Sequence, residues 1–256
     1  MEYFSEKSVL LEEPDDNKRI WRYMTLPKFL IMLKKDSLFL PRVSKLIDKF
    51  EGAPAKLRYK TAMDESMDES YPREKHDKEK FLYLVSCWHL NEDSESDALW
   101  KIYGKENGIA IVTTYGKLKA FFHCIEMDQF IGKVKYEGSP SFKTRESLFY
   151  KKKAFSHENE IRVVLYDKEV SMYVNADSRE YDDIPFMGGI PENIKDGKWI
   201  GSNVTNLIDE VLIGPNSLPM YEDSIKFLLK NSGFNNISVY SSELELEDRD
   251  YFDGTG

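Results

Sequence analysis

The segment Ala154-Phe155-Ser156-His157-Glu158-Asn159-Glu160-Ile161-Arg162-Val163-Val164-Leu165 limits what this chain can fold into more than any other stretch. From Asn159 to Tyr166 it reads as a strand, with Ile161, Val163 and Leu165 alternating as one buried face of a pleated sheet. The same period sends Glu158, Glu160 and Arg162 to the opposite face, with Val164 next in the row. Two carboxylates and a guanidinium that close together fit either a wet sheet surface with cross-strand ion pairs or the floor of a charged cleft. The lysine run just before them (Lys151, Lys152, Lys153) is expected to close a helix.

A chain of 256 residues, 41% hydrophobic and 13% aromatic, can bury one sizeable core. Its 15 Tyr and 15 Phe favour a fold with a substantial sheet. A net charge of −9 argues against nonspecific coating of nucleic acid, while leaving room for a local basic groove. Cys87 and Cys124 alone supply neither a disulfide framework nor a four-cysteine zinc site, and both thiols are expected to be reduced. No apolar run is long enough to cross a bilayer, and the acidic, polar N-terminus is unlike a signal peptide. The expectation is a cytoplasmic protein without a membrane partner.

Along the chain, residues 1–17 are charged and expected to be loosely held. Residues 18–242 read as a single α+β domain, a mixed and mostly antiparallel sheet with flanking helices, and 243–256 as an acidic tail. Ile20–Met24 is a first strand, Thr25 a cap for a helix running to about Lys35 with Pro27 in its first turn, and Leu38–Leu40 a short strand. Residues 54–80 turn to Lys, Glu, Asp, Met and Ser and read as a charged insertion or lid. Phe81–Trp88 is the clearest buried strand. Asp93, Ser94 or Ser96 caps a helix ended by Gly104, with Leu99, Trp100 and Tyr103 at helical spacing. Further strands follow at Gly108–Val112, Ile131–Tyr136 (an edge) and Ile208–Ile213, with helices through Leu118 and Phe122, over Arg145–Lys153 and over Tyr221–Lys230. Val239-Tyr240 closes the sheet.

There is no GxGxxG, GxxxxGK[ST] or GxSxG motif. His157-Glu158-Asn159-Glu160-Ile161 lacks the second histidine of HExxH, and four scattered histidines make no metal centre, so no metal ligand is assigned.

Four blocks together resemble a large, mostly bacterial family known as a domain of unknown function. They are Trp21-Arg22-Tyr23; Asp48 to Gly52; Ser86-Cys87-Trp88 with Leu99-Trp100-Lys101-Ile102-Tyr103 through Gly108; and Glu158-Asn159-Glu160-Ile161-Arg162. Lys49 stands where that family usually has proline, and Phe155 where it has tryptophan. Arg22, Ser86 and Glu158-x-Glu160, each on an expected strand and in that order, also resemble ADP-ribosyltransferases of the arginine-serine-glutamate type. The second resemblance implies an ADP-ribosyltransferase-like fold and an NAD-dependent transferase, plausible as a toxin or anti-phage effector. Its acceptor would be nucleic acid or protein, and a neutralising antitoxin partner would fit.

Under that resemblance, Glu160 would stabilise the oxocarbenium-like ribose and Glu158 would orient or deprotonate the acceptor. Arg22 would hold the NAD pyrophosphate or ribose. Ser86 would support Glu160, Tyr23, Trp88 or Tyr103 would stack on nicotinamide, and Arg162 would keep a carboxylate ionised. Two alternatives stand beside it: a metal-dependent nuclease or hydrolase on Glu51, Glu158 and Glu160, and a non-catalytic sensor or interaction module.

Overall fold

The computed structural model describes residues 11–46, 48, 51–52, 77, 79–91, 94–105, 107–137, 144–174, 191–215 and 217–244. Nearly all of the expected insertion, and the tail beyond residue 244, lie outside them. The fold is α+β. Its main sheet has the order β5-β6-β3-β1-β4-β8-β9, and a second sheet pairs β2 with β7. The strands are β1 (Arg19–Thr25), β2 (Leu38–Pro41), β3 (Tyr83–Leu90), β4 (Gly108–Thr114), β5 (Asp128–Lys133), β6 (Glu160–Tyr166), β7 (Gly197–Ile200), β8 (Glu210–Ile213) and β9 (Ser238–Ser241). Every ladder is antiparallel except β8 with β9.

Alternation along each strand builds two unequal faces. Ile20, Met24, Leu84, Trp88, Ile109, Ile111, Ile161, Val163 and Leu165 point into the main core. Three helices cover that face: α1 (Leu26–Lys35), α2 (Tyr115–His123) and α3 (Pro219–Asn231). They contribute Phe29, Met32 and Leu33, then Tyr115, Leu118 and Phe122, then Ile225 and Leu229. The opposite face carries two smaller apolar clusters. One gathers Trp21, Tyr23, Leu99, Trp100, Ala110, Val112 and Leu212, and the other Val43, Val85, Leu148, Phe149, Tyr150 and Val164.

Thr25 occupies the N-cap of α1 without donating or accepting a capping bond there; Pro27 sits in the first turn and Asp36 ends the helix in the left-handed region. Ser96, of the three expected candidates, is the cap, accepting from Leu99 N–H. Residues 11–17, read from the sequence as loosely held, are tied in where Glu12 O accepts from Lys133 N–H and Asp16 O from Gly116 N–H.

Two expectations fail on local grounds. The helix over Arg145–Lys153 stops after Thr144–Ser147, because Leu148, Phe149 and Tyr150 turn inward to fill the second small cluster. The lysine run therefore starts a 3-10 segment, Lys153–Glu158, and closes no helix. β6 begins at Glu160 and not at Asn159, since Asn159 takes the left-handed conformation (φ 36°, ψ 60°).

The main sheet is held together unevenly. β1 matches β4 over seven residues but matches β3 only at Ile20–Leu90 and Trp21–His89, beyond which the two strands part. Away from this seam, Arg42 and Asp167 tie the second sheet to the β3–β6 end. Arg42 Nη2 donates to Asp167 Oδ2 at 2.8 Å with both side chains sealed from solvent, and Lys198 Nζ donates to Asp167 Oδ1 at 2.9 Å. Removing one member leaves a buried charge without its partner, so Asp167→Ala should lower unfolding free energy by about 3–5 kcal/mol in denaturant titrations. A loss below about 1 kcal/mol would show that the pair does not clamp the sheets.

Candidate active site

β6 delivers Arg162 to the sheet face opposite the main core, between the two small apolar clusters. Its guanidinium is fully buried and makes four hydrogen bonds. Nε donates to Glu160 Oε1 at 2.6 Å and Nη2 to Glu160 Oε2 at 3.0 Å. Nη1 donates to Glu51 Oε1 at 2.6 Å and to the Leu148 carbonyl at 2.5 Å. A planar fork suits this set, because two acids and a carbonyl lie in fixed directions around it.

Lys151 completes the group. Its Nζ donates to Glu158 Oε2 at 2.5 Å and to Glu160 Oε2 at 2.7 Å, joining the two carboxylates although Asn159 turns the chain between them. Burial alone pushes the Glu160 carboxyl up, but the charges of Arg162 and Lys151 overcome this and hold it at about 2. Burial lowers Lys151 and Arg162 in turn, and the charge of Glu160 more than reverses both. Cys87, opposite Arg162 on β3, has its thiol pushed up to about 12 by burial and by Glu160, so it is no nucleophile.

The two acids differ in access. Glu160 is 4% exposed and every contact it makes is to the protein interior, including its N–H, which donates to Tyr136 Oη at 2.8 Å. Glu158 is the outer member, with its side chain 11% exposed, and Tyr103 Oη donates to its Oε1 at 2.9 Å. Tyr103 is 39% exposed and rides on a π-helical turn, Trp100–Gly104, a geometry that recurs at functional sites. Trp100 anchors that turn in the apolar cluster, its Nε1 donating to Glu95 at 2.7 Å. The turn lies so close to β4 that a Cβ on Gly108 would come 2.5 Å from Gly104 Cα.

The remaining expected site residues fall elsewhere. Register places Ser86 opposite Val163 and His89 opposite Glu160, so Ser86 lies on the core face and Glu160 on the other. The expected Ser86–Glu160 hydrogen bond is thus geometrically excluded. Instead Ser86 Oγ accepts from Arg22 Nη1 at 3.2 Å and from Trp88 Nε1 at 3.0 Å. Trp88 is 2% exposed within the main core and cannot stack on a ligand without unpacking it. Tyr23 is also buried, its ring edge-on to Trp100 and its Oη accepting from Ser96 N–H, so of the three aromatics only Tyr103 is accessible.

Arg22 sits on the core face just where β1 and β3 part. Its Nη2 donates to the Phe39 carbonyl at 3.0 Å, its guanidinium lies 5.8 Å from the centre of the Trp88 ring, and it is partly exposed. Among the described residues no carboxylate pairs with it, and burial lowers its pKa, an effect the Cys87 thiol only partly opposes. Arg22 and Ser86 therefore meet on the core face of the sheet, while Glu158, Glu160 and Arg162 meet at its opposite face, with β3 between β6 and β1.

Lys151, Tyr136 and His89 belong to the site and were given no role from sequence. Lys151 had a signal, the lysine preceding the E-x-E segment; the other two become visible only through register. Among the described residues no three His, Cys, Asp or Glu side chains converge as metal ligands; Glu51 and Glu160 face Arg162 instead.

The low Glu160 value fixes a pH dependence. A carboxyl at 4.5 when exposed and about 2 when folded stabilises the fold fully above pH 4.5, and that contribution disappears as pH falls through about 2. The stability gap between wild type and Glu160→Gln should therefore be several kcal/mol at neutral pH and shrink steadily below pH 4.5 in denaturant unfolding. A gap unchanged down to pH 2 would contradict an ionised, paired Glu160.

No family model matches the chain, and no curated protein matches it. A solved structure, Thermus sp. 2.9 DarT in complex with ADP-ribosylated ssDNA, is 10% identical; the match covers 91% of this chain and 98% of that one, with a TM-score of 0.40.

Proposed function

We propose that the chain is an NAD-dependent ADP-ribosyltransferase. The observation that carries this reading is the pairing of unlike charge states across one seam. On one side lies an arginine with no carboxylate partner among the described residues; on the other lies Glu160, held ionised by Arg162 and Lys151, with Glu158 sharing Lys151. A guanidinium lacking an acid is suited to phosphate oxygens, and a fixed carboxylate to a sugar on which positive charge develops. The NAD substrate supplies an ADP-ribosyl group whose bond to nicotinamide breaks with its electron pair leaving on the nicotinamide.

The geometry redistributes the roles expected from sequence. Glu160 is enclosed by Arg162 and Lys151, so it acts as the positioning residue. Glu158, the outer carboxylate, meets the ribose and draws the acceptor's proton away as the acceptor attacks. Tyr103 orients Glu158 and offers an accessible ring to the leaving group. Exposed lysines flank these two, Lys101 and Lys105 beside Tyr103 and Lys152 and Lys153 ahead of Glu158, which favours nucleic acid over protein as acceptor despite the acidic chain. Uncontrolled transfer of this kind would be harmful, so a toxin or anti-phage setting with a neutralising partner suits the reading.

The test uses radiolabelled NAD with single-stranded nucleic acid and with protein extract. Wild type should label the nucleic acid, Glu158→Gln should cut the rate by about 10²–10³-fold, and Arg22→Ala should chiefly weaken NAD binding. No labelling of either acceptor, or full activity in Glu158→Gln, would overturn the proposal.

A further inference from the structure

We infer that His89, through its Nδ1–H, is the positioning residue that sets Glu158, an inference resting on the reading of Glu158 as the carboxylate at the ribose. The end of β3 grips the turn that carries Glu158 by three hydrogen bonds. His89 Nδ1 lies 2.6 Å from the Glu158 carbonyl oxygen, Asn159 Nδ2 donates to the Leu90 carbonyl at 2.5 Å, and Leu90 N–H donates to the Asn159 carbonyl at 2.8 Å. The turn needs such a grip. Asn159 is left-handed, and across it the 3-10 segment reverses into β6.

A carbonyl oxygen only accepts, so a proton sits on Nδ1; burial favours the neutral ring, which leaves Nε2 with a bare lone pair. Nε2 is buried and has no hydrogen-bond partner among the described residues. Packing alone would be served better by an apolar ring, which leaves no orphaned nitrogen. The Nδ1–H bond is what selects histidine here. The ring plane is fixed by Tyr23, edge-on at 6.2 Å between centroids, and by its place in register between Trp21 and Glu160. A displaced Glu158 carbonyl would carry its side chain away from Tyr103 and Lys151, and so from the ribose.

Asparagine and glutamine separate the two nitrogens, because the Asn amide reproduces a donor near the Nδ1 position and the Gln amide one near Nε2. Imidazole ¹⁵N spectra of the wild type should show His89 as the Nδ1–H tautomer. The Glu158 carbonyl ¹³C resonance should hold in His89→Asn and move in His89→Gln and His89→Phe. In the labelled-NAD assay, His89→Gln and His89→Phe should lose roughly 10²-fold in kcat with KM for NAD little changed, and His89→Asn should recover most of that loss. An Nε2–H tautomer, or recovery by Gln instead of Asn, overturns the inference. If the wild type proves inactive while the tautomer and the carbonyl shifts are as stated, the transferase reading falls and the His89 grip on Glu158 stands.

Discussion

The structure depends on a guanidinium sealed from water. Arg162 has no exposure at all, and desolvating it is tolerable only because Glu160 and Glu51 face it and the Leu148 carbonyl takes a further N–H. Each partner comes from a different part of the chain. Glu51 closes the segment after β2, Leu148 ends the short helix, and Glu160 opens β6. One ion cluster thus fixes three segments at once. Replacing it with apolar residues of equal volume could preserve stability, as buried ion clusters often allow. It would not preserve the Lys151 bridge between Glu158 and Glu160.

The seam between β1 and β3 gives that cluster its significance. Strands that pair fully would leave Arg22 in the core and Glu158 on the opposite side of a continuous layer. Because only two residue pairs join them, Arg22 reaches Ser86 across the gap, donates also to the Phe39 carbonyl of β2, and stays partly exposed. The proposed function requires a ligand in this gap to meet the guanidinium and the outer carboxylate together. The π-helical turn bearing Tyr103 forms the wall beside Glu158, pinned by Trp100 and by the close approach of Gly104 to Gly108.

Much of this was legible in the residues. The alternation of Ile161, Val163 and Leu165 announced β6 and put Glu160 with Arg162, and the Leu99-Trp100-Tyr103 spacing announced the helical turn. The α+β class followed from strands and helices that nearly all recur in the structure. What alternation could not tell is which face of one strand joins which face of the next. A shift of three residues in register would have set Ser86 opposite Glu160; the observed register sets His89 there. The left-handed Asn159 was equally hidden, since an asparagine at a strand start reads as part of the strand. Lys151 was misread because three consecutive lysines suit a helix end, whereas Leu148 to Tyr150 had already left the helix to fill a core.

The central claim is that Arg22 and Glu158, on opposite sides of the seam, serve one ligand. Chemical-shift mapping of isotope-labelled protein titrated with NAD tests it most directly. The account predicts saturable shifts at the Arg22 guanidinium, Tyr103 and the Glu158 carboxyl with a single shared dissociation constant. Shifts confined to one side of the seam, or none that saturate, would contradict it.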